Sequence, residues 1–164
     1  LSFAEFLKTR IFEKLGMTET VALEKGISEV SSRAYGYSPS GGSFSKTDQS
    51  VTSATLGDGG VYTSIAELPR WEKAVEKSSL VSQSLLALAF TPGKLNDGTS
   101  TKYGFGWMLD TYRGRRRQHH TGSTIGFRTA TARFPDDRLM IAVLVNRANS
   151  SPWTIAERIA DQCL

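Results

Sequence analysis

From Tyr103 to Asn146 the sequence divides into four strand-like segments, "YGFGWMLDTY", "RRRQHHT", "RTATARF" and "RLMIAVLVN". Only the turn signals "RG", "GSTIG" and "PDD" separate them, and β-branched and aromatic residues are enriched within them. Links this short cannot carry a crossover, which takes about a dozen residues or more, so successive segments are expected to pair antiparallel. The run 139–145, "LMIAVLV", does not alternate polar with apolar residues. Both its faces ask for cover, and it is expected to be the most central strand.

The rest of the chain supplies what covers such a sheet. "SPWTIAERIADQCL" closes the sequence as a helix, with Ser151 as cap, Pro152 at the first helical position and an apolar face of Trp153, Ile155, Ala156, Ile159 and Ala160. At the other end, Ser2 and Glu5 form a capping box, and Phe3, Leu7, Ile11 and Leu15 make an i, i+4 stripe that stops at Gly16. A sequence that opens directly on a helix cap is expected to have lost something upstream. Residues 17 to 62 read as an irregular crossing segment, most loop-like at "YGYSPSGGSFSKTDQS". A helix is expected from Ser64 or Ile65 to about Lys77, with Leu68, Trp71 and Val75 on its buried face, and a shorter one from 82 to 90. The fold class is α+β: helices and irregular loops, then an antiparallel sheet of about four strands covered by a C-terminal helix. With 164 residues, 39% of them apolar, residues 1–164 are expected to form one domain.

Several functional classes are disfavoured. The net charge of +4, from 20 basic and 16 acidic residues, is too mild to announce a nucleic-acid binder. Its one cluster, "RGRRRQ", straddles a turn and then alternates between two faces, so it reads as a solvated hairpin rather than a basic stripe. One cysteine, Cys163, and two histidines fall short of a zinc site, so neither metal nor cofactor is expected. The seven-residue run 139–145 is far below the roughly 20 residues a membrane-spanning helix needs. "GDGG" at 57–60 lacks the Lys-Ser/Thr of a phosphate-binding loop and reads as a tight turn.

Chemistry is suggested by "QHHTGSTIGF" at 118–127, where both histidines of the chain stand beside a Thr-Gly-Ser sequence. Together with "SFAEFLKTRIFEKLGMTET" and "GDGGVYTSIAELPRWEKAV", the sheet region resembles, in order and over nearly the whole length, the C-terminal half of the serine β-lactamase-like family. That family includes class C β-lactamases, DD-peptidases and related esterases. Its sites use Ser-x-x-Lys on a helix, Tyr-x-Asn or Tyr-x-Ser on a loop, and Lys/His-Thr/Ser-Gly on a strand. The third motif matches at His120, Thr121 and Gly122, followed by Ser123. The resemblance implies that the Ser123 N–H is one of two oxyanion donors and that Gly122 lets substrate lie close to the strand. It implies also that Thr121 is a hydrogen-bond partner, and that His120 orients an acidic group of the substrate or supports the proton relay. His119 should face the other way, as successive strand residues do.

The first two motifs have no convincing match. "YTS" at 62–64 fits the loose Tyr-x-Ser spelling but falls where the family has a structural turn. "SFSK" at 43–46 spells Ser-x-x-Lys among turn residues, with no apolar helical face to bury Lys46 and depress its pKa. In the family both motifs precede the helix that starts here at Ser2. The chain is therefore expected to be the C-terminal part of a serine acyl hydrolase, inactive alone, whose parent acts on a β-lactam, peptide or ester. By resemblance the parent would be periplasmic or extracellular. The alternative is a non-catalytic folded module that self-associates or binds a partner.

Overall fold

The computed structural model describes residues 1–47 and 56–164, so the end of the irregular segment, 48–55, lies outside the described residues. Its main sheet has four antiparallel strands in the order β5-β6-β7-β8: β5 (Met108–Tyr112), β6 (Arg115–Thr124), β7 (Phe127–Phe134) and β8 (Leu139–Val145). The links are the Arg113-Gly114 turn, Ile125-Gly126 and a single 3-10 turn at Pro135–Asp137. The short connections thus impose a simple meander. The same rule places the apolar run of β8 last rather than central, because no later strand among the described residues returns to pair with it. One face of β8 packs inward through Ile141 and Val143, while Leu144 on the other is 37% exposed.

Helix α5 (Pro152–Cys163) lies across the inward face and buries Ala156 and Ala160 against Ala130, Ala132, Phe134 and Ile141. Small residues on both surfaces allow this close approach. Pro152 takes the first turn as expected, but Ser151 makes no side-chain cap bond. Ile155 and Ile159 project outward and are exposed, which narrows the apolar face to Pro152, Trp153, Ala156 and Ala160.

A second core gathers around the opening helix. The Ser2–Glu5 capping box forms as the spacing requires, with Ser2 N–H donating to Glu5 Oε2 at 2.8 Å and Glu5 N–H donating to Ser2 Oγ at 3.2 Å. The helix then runs as α1 (Phe3–Leu7), a π turn at Lys8–Phe12 and α2 (Glu13–Leu15), ending on Gly16 in the left-handed conformation. Phe3, Leu7, Ile11 and Leu15 pack with Ala4, Phe12, Met17, Ala22 and Trp71. Trp71 comes from α3 (Leu68–Glu76), which starts three or four residues later than its sequence pattern suggested because Ser64 first closes a turn. The fourth helix, α4 (Gln83–Ala89), is capped by Ser82.

The crossing segment holds more regular structure than its composition announced. β1 (Val21–Ala22) pairs with β4 (Val61–Tyr62), and β2 (Tyr37–Ser40) pairs with β3 (Ser43–Lys46). The β2–β3 turn is Gly41-Gly42, both at positive φ, as a two-residue hairpin demands. This hairpin docks on the end of the main sheet where Gly36 crosses Gly126. A Cβ on Gly36 would stand 2.8 Å from the Gly126 Cα and 2.7 Å from the Phe127 ring, so neither chain could carry a side chain there.

Candidate active site

The register of β6 and β7 divides the histidine pair. Cα partners in antiparallel strands share a face, so His119, opposite Ala132, looks toward α5, whereas His120, opposite Thr131, looks the other way. Gly122 and Thr124 share the face of His120, and Thr121 and Ser123 share that of His119. The four residues expected to serve the site therefore lie on one strand but on alternate faces. Pairing between β5 and β6 ends at Met108 and His119, so from His120 to Thr124 the strand is paired only with β7 among the described residues. Among the described residues no second strand pairs with the other edge of β6 from His120 to Ser123, the kind of edge on which a ligand or another chain can add.

His120 is held at both ring nitrogens. Nδ1 lies 2.7 Å from the Thr121 carbonyl oxygen, and Nε2 lies 2.8 Å from the Tyr103 hydroxyl. The Tyr103 ring meets the imidazole edge-on at 5.8 Å between centroids. Tyr103 stands 17 positions earlier in the chain, and nothing local in the sequence announces the contact. The signal available was "YGFGW", whose glycines interrupt a strand pattern; that segment forms the shaped loop before β5 rather than a strand.

His119 has a different environment. It is buried, stacks on Trp153 at 4.5 Å and 32° between ring planes, and approaches Asp110 Oδ2 at 3.4 Å. Its Nδ1 has no hydrogen-bond partner among the described residues. Burial holds its pKa below the ordinary histidine value, against the pull of the Asp110 carboxylate. Asp110 itself is held below the usual carboxylate range by its hydrogen bonds from Arg117, at 2.8 and 2.7 Å. Arg117 also reaches Glu157 of α5 at 3.1 Å and lies over the rings of Tyr112 and Trp153. Its neighbours are paired too: Arg113 with Asp161, Arg115 with Asp137 and Arg116 with Asp136. The basic cluster is thus a set of ion pairs, with the Arg117 side chain buried, rather than a wholly solvated hairpin.

The two near-motifs lie on or beside short strands rather than on a helix. Ser43 and Lys46 fall on strand β3, where residues three apart face opposite ways. Ser43 donates to the Ser40 carbonyl at 2.9 Å, and the exposed Lys46 ammonium sits 3.3 Å above the Tyr35 ring. Tyr62 accepts a hydrogen bond from Arg33 at 2.8 Å. It lines a cleft of about 600 Å³ with Arg33, Ser64, Thr124, Thr129 and Leu144, on the His120 side of the sheet. "GDGG" is a tight turn with Gly57 and Gly60 at positive φ. Among the described residues, no group of three or more His, Cys, Asp or Glu is placed to hold a metal, and no helix is long and apolar enough to cross a membrane.

A penicillin-binding protein of Bacillus subtilis is 30% identical over 165 aligned positions, covering 93% of this chain and 37% of its own length. A D-aminopeptidase of Gluconobacter oxydans is 27% identical, covering 97% of this chain and 30% of its own. The chain thus spans about a third of the length of these curated relatives. Among solved structures, the octameric penicillin-binding protein homologue from Pyrococcus abyssi superposes with a TM-score of 0.83 at 23% identity, over 99% of this chain and 37% of that one. The D-amino acid amidase from Ochrobactrum anthropi gives 0.75 at 18% identity, over 98% and 49%. These likenesses establish the α+β fold, and because the family profile matches residues 1–163, the chain belongs to the Beta-lactamase family of serine hydrolases.

Proposed function

We propose that the chain is the C-terminal part of a serine acyl hydrolase and carries one wall of its active site. The observation behind this reading is the edge of β6 from His120 to Ser123, which no second strand pairs among the described residues and which carries the His-Thr-Gly sequence that resembles the family's third motif. The nucleophilic serine and its lysine then belong to the part of the relatives' length that this chain does not span. In the intact protein the serine hydroxyl attacks a substrate carbonyl, the Ser123 N–H helps hold the oxyanion, the leaving group departs, and water hydrolyses the acyl-enzyme. Gly122 admits the substrate against the strand, since no side chain intervenes. The Thr121 carbonyl anchors the His120 ring, which assists proton transfer or positions the substrate. Residues 1–164 act as one unit that completes an upstream half.

Substrates are acyl compounds, for which β-lactams, peptides carrying D-residues and simple esters are the classes to test. Joining the chain to an upstream half that bears Ser-x-x-Lys and Tyr-x-Asn should produce turnover of nitrocefin, a D-amino acid amide or a p-nitrophenyl ester. The chain alone should give none above background, and a fluorophosphonate should not label Ser43. A labelled Ser43, identified by mass spectrometry, would overturn this reading and make "SFSK" the nucleophile motif.

A further inference from the structure

The contacts of His120 specify which of its nitrogens carries the proton. A carbonyl oxygen can only accept, so Nδ1, 2.7 Å from the Thr121 oxygen, must be the N–H donor. In the neutral ring Nε2 is then the bare nitrogen, and the Tyr103 hydroxyl 2.8 Å away must be its donor. We propose that Tyr103 is a positioning residue that, together with the Thr121 carbonyl, holds His120 in the Nδ1–H tautomer by donating its hydroxyl to Nε2. The inference rests on the reading of β6 as a site wall, and it narrows the role of His120 within it. With Nδ1 committed to the Thr121 carbonyl, Nε2 is the ring nitrogen through which His120 would exchange a proton at that site.

The loop that carries Tyr103 is shaped to hold it. The Tyr103 N–H donates to Thr101 Oγ1 at 3.2 Å, and its carbonyl accepts from the Gly93 N–H at 2.9 Å. Gly104 follows so close to the end of α4 that a Cβ there would lie 2.1 Å from the Ala89 carbonyl oxygen. Phe105 N–H donates to that same oxygen at 3.0 Å, and Gly104 N–H closes onto the Trp107 carbonyl at 2.8 Å. Backbone bonds on both sides of Tyr103 thus aim its hydroxyl, and the hydroxyl in turn aims His120.

The test is the ring nitrogen-15 spectrum of the labelled chain at pH about 9, where histidine side chains are neutral. His120→Gln identifies which of the two imidazoles is which. The native chain should show His120 as the Nδ1–H tautomer. Tyr103→Phe keeps the edge-on ring and removes only the donor, and should lower the Nδ1–H to Nε2–H ratio by roughly fivefold, the factor associated with one ordinary hydrogen bond. His119, on the opposite face, should not move. An unchanged ratio, a native His120 already in the Nε2–H form, or an equal shift of both histidines would overturn the proposal. The measurement needs no activity, so it is separable from the functional reading. In the joined enzyme, an undiminished kcat/KM for His120→Ala would reject the site while leaving the tautomer result intact. If both hold, Tyr103→Phe should lower kcat by about tenfold with little change in KM.

Discussion

His119 and His120 show how one position along a strand separates two kinds of histidine. His119 lies under α5, neutral by burial, so the unfolded chain binds a proton there more readily than the folded one. Stability is therefore greatest above the ordinary value of 6.5 and declines as pH falls below it. Asp110 adds to this at lower pH: its depressed pKa gives stability present above the normal carboxylate range and lost as pH falls through its folded value. His119→Phe keeps the stack on Trp153 and removes the titration. Its urea midpoint should fall less than that of the native chain between about pH 7 and 5; parallel curves would show that His119 titrates alike in both states. In the joined enzyme His120→Ala should lower kcat/KM by roughly 10- to 1000-fold. Thr121→Ala should cost less than that, because the backbone carbonyl that anchors the His120 ring survives the substitution.

At the level of elements, the glycines of "YGFGW" matter more than their strand-like neighbours. Gly104→Ala forces a methyl group onto the Ala89 carbonyl, a backbone atom that cannot swing aside, and should destabilise the chain by about 1–3 kcal/mol. Denaturant unfolding measures this, and a loss below about 0.5 kcal/mol, the usual range of a surface substitution, would contradict the close approach. Elements whose signal is periodic were legible in advance. The Ser2 cap and the Phe3, Leu7, Ile11, Leu15 stripe specify the first helix, and the short turns specify the antiparallel meander. The β2–β3 hairpin was not legible, because "YSPS" and "SFSK" are exposed on both faces and carry no alternation; only Gly41-Gly42 marked it. The position of β8 was misjudged for a related reason. An apolar run reports that two faces need cover, but strand order depends on connections, and these leave β8 at the edge. Within the candidate site, alternation alone separated His120 from His119. Tyr103 came into view only through the fold, since its partner is non-local and its "Tyr-x-Asn" spacing fails.

Among the described residues, one sheet face is covered by α5 and the other is covered only in part. On the partly covered face Arg133 reaches Glu72 of α3 at 2.5 and 2.7 Å and lies over Phe90 and Trp107. Beyond these, Leu144 is exposed beside the cleft, and α4 presents Leu85 and Leu88 with no buried residue of its own. Phe105 and Ile125 add further exposed apolar surface. Contiguous apolar surface beyond several hundred Å² usually acquires a partner or aggregates. In the proposed parent protein, the upstream half would cover the cleft side. The chain alone should then self-associate at micromolar concentration and bind a dye specific for exposed apolar surface. Leu144→Lys, at the edge of β8 and on the open face, should weaken association several-fold while leaving the α5 core intact, since Leu144 faces away from that helix. Joining the upstream half should abolish both association and dye binding. Sedimentation that finds a monomer for the chain alone, with no dye bound, would mean that this face is stable in water as it stands, and the case for a missing half would then rest on sequence relationship alone.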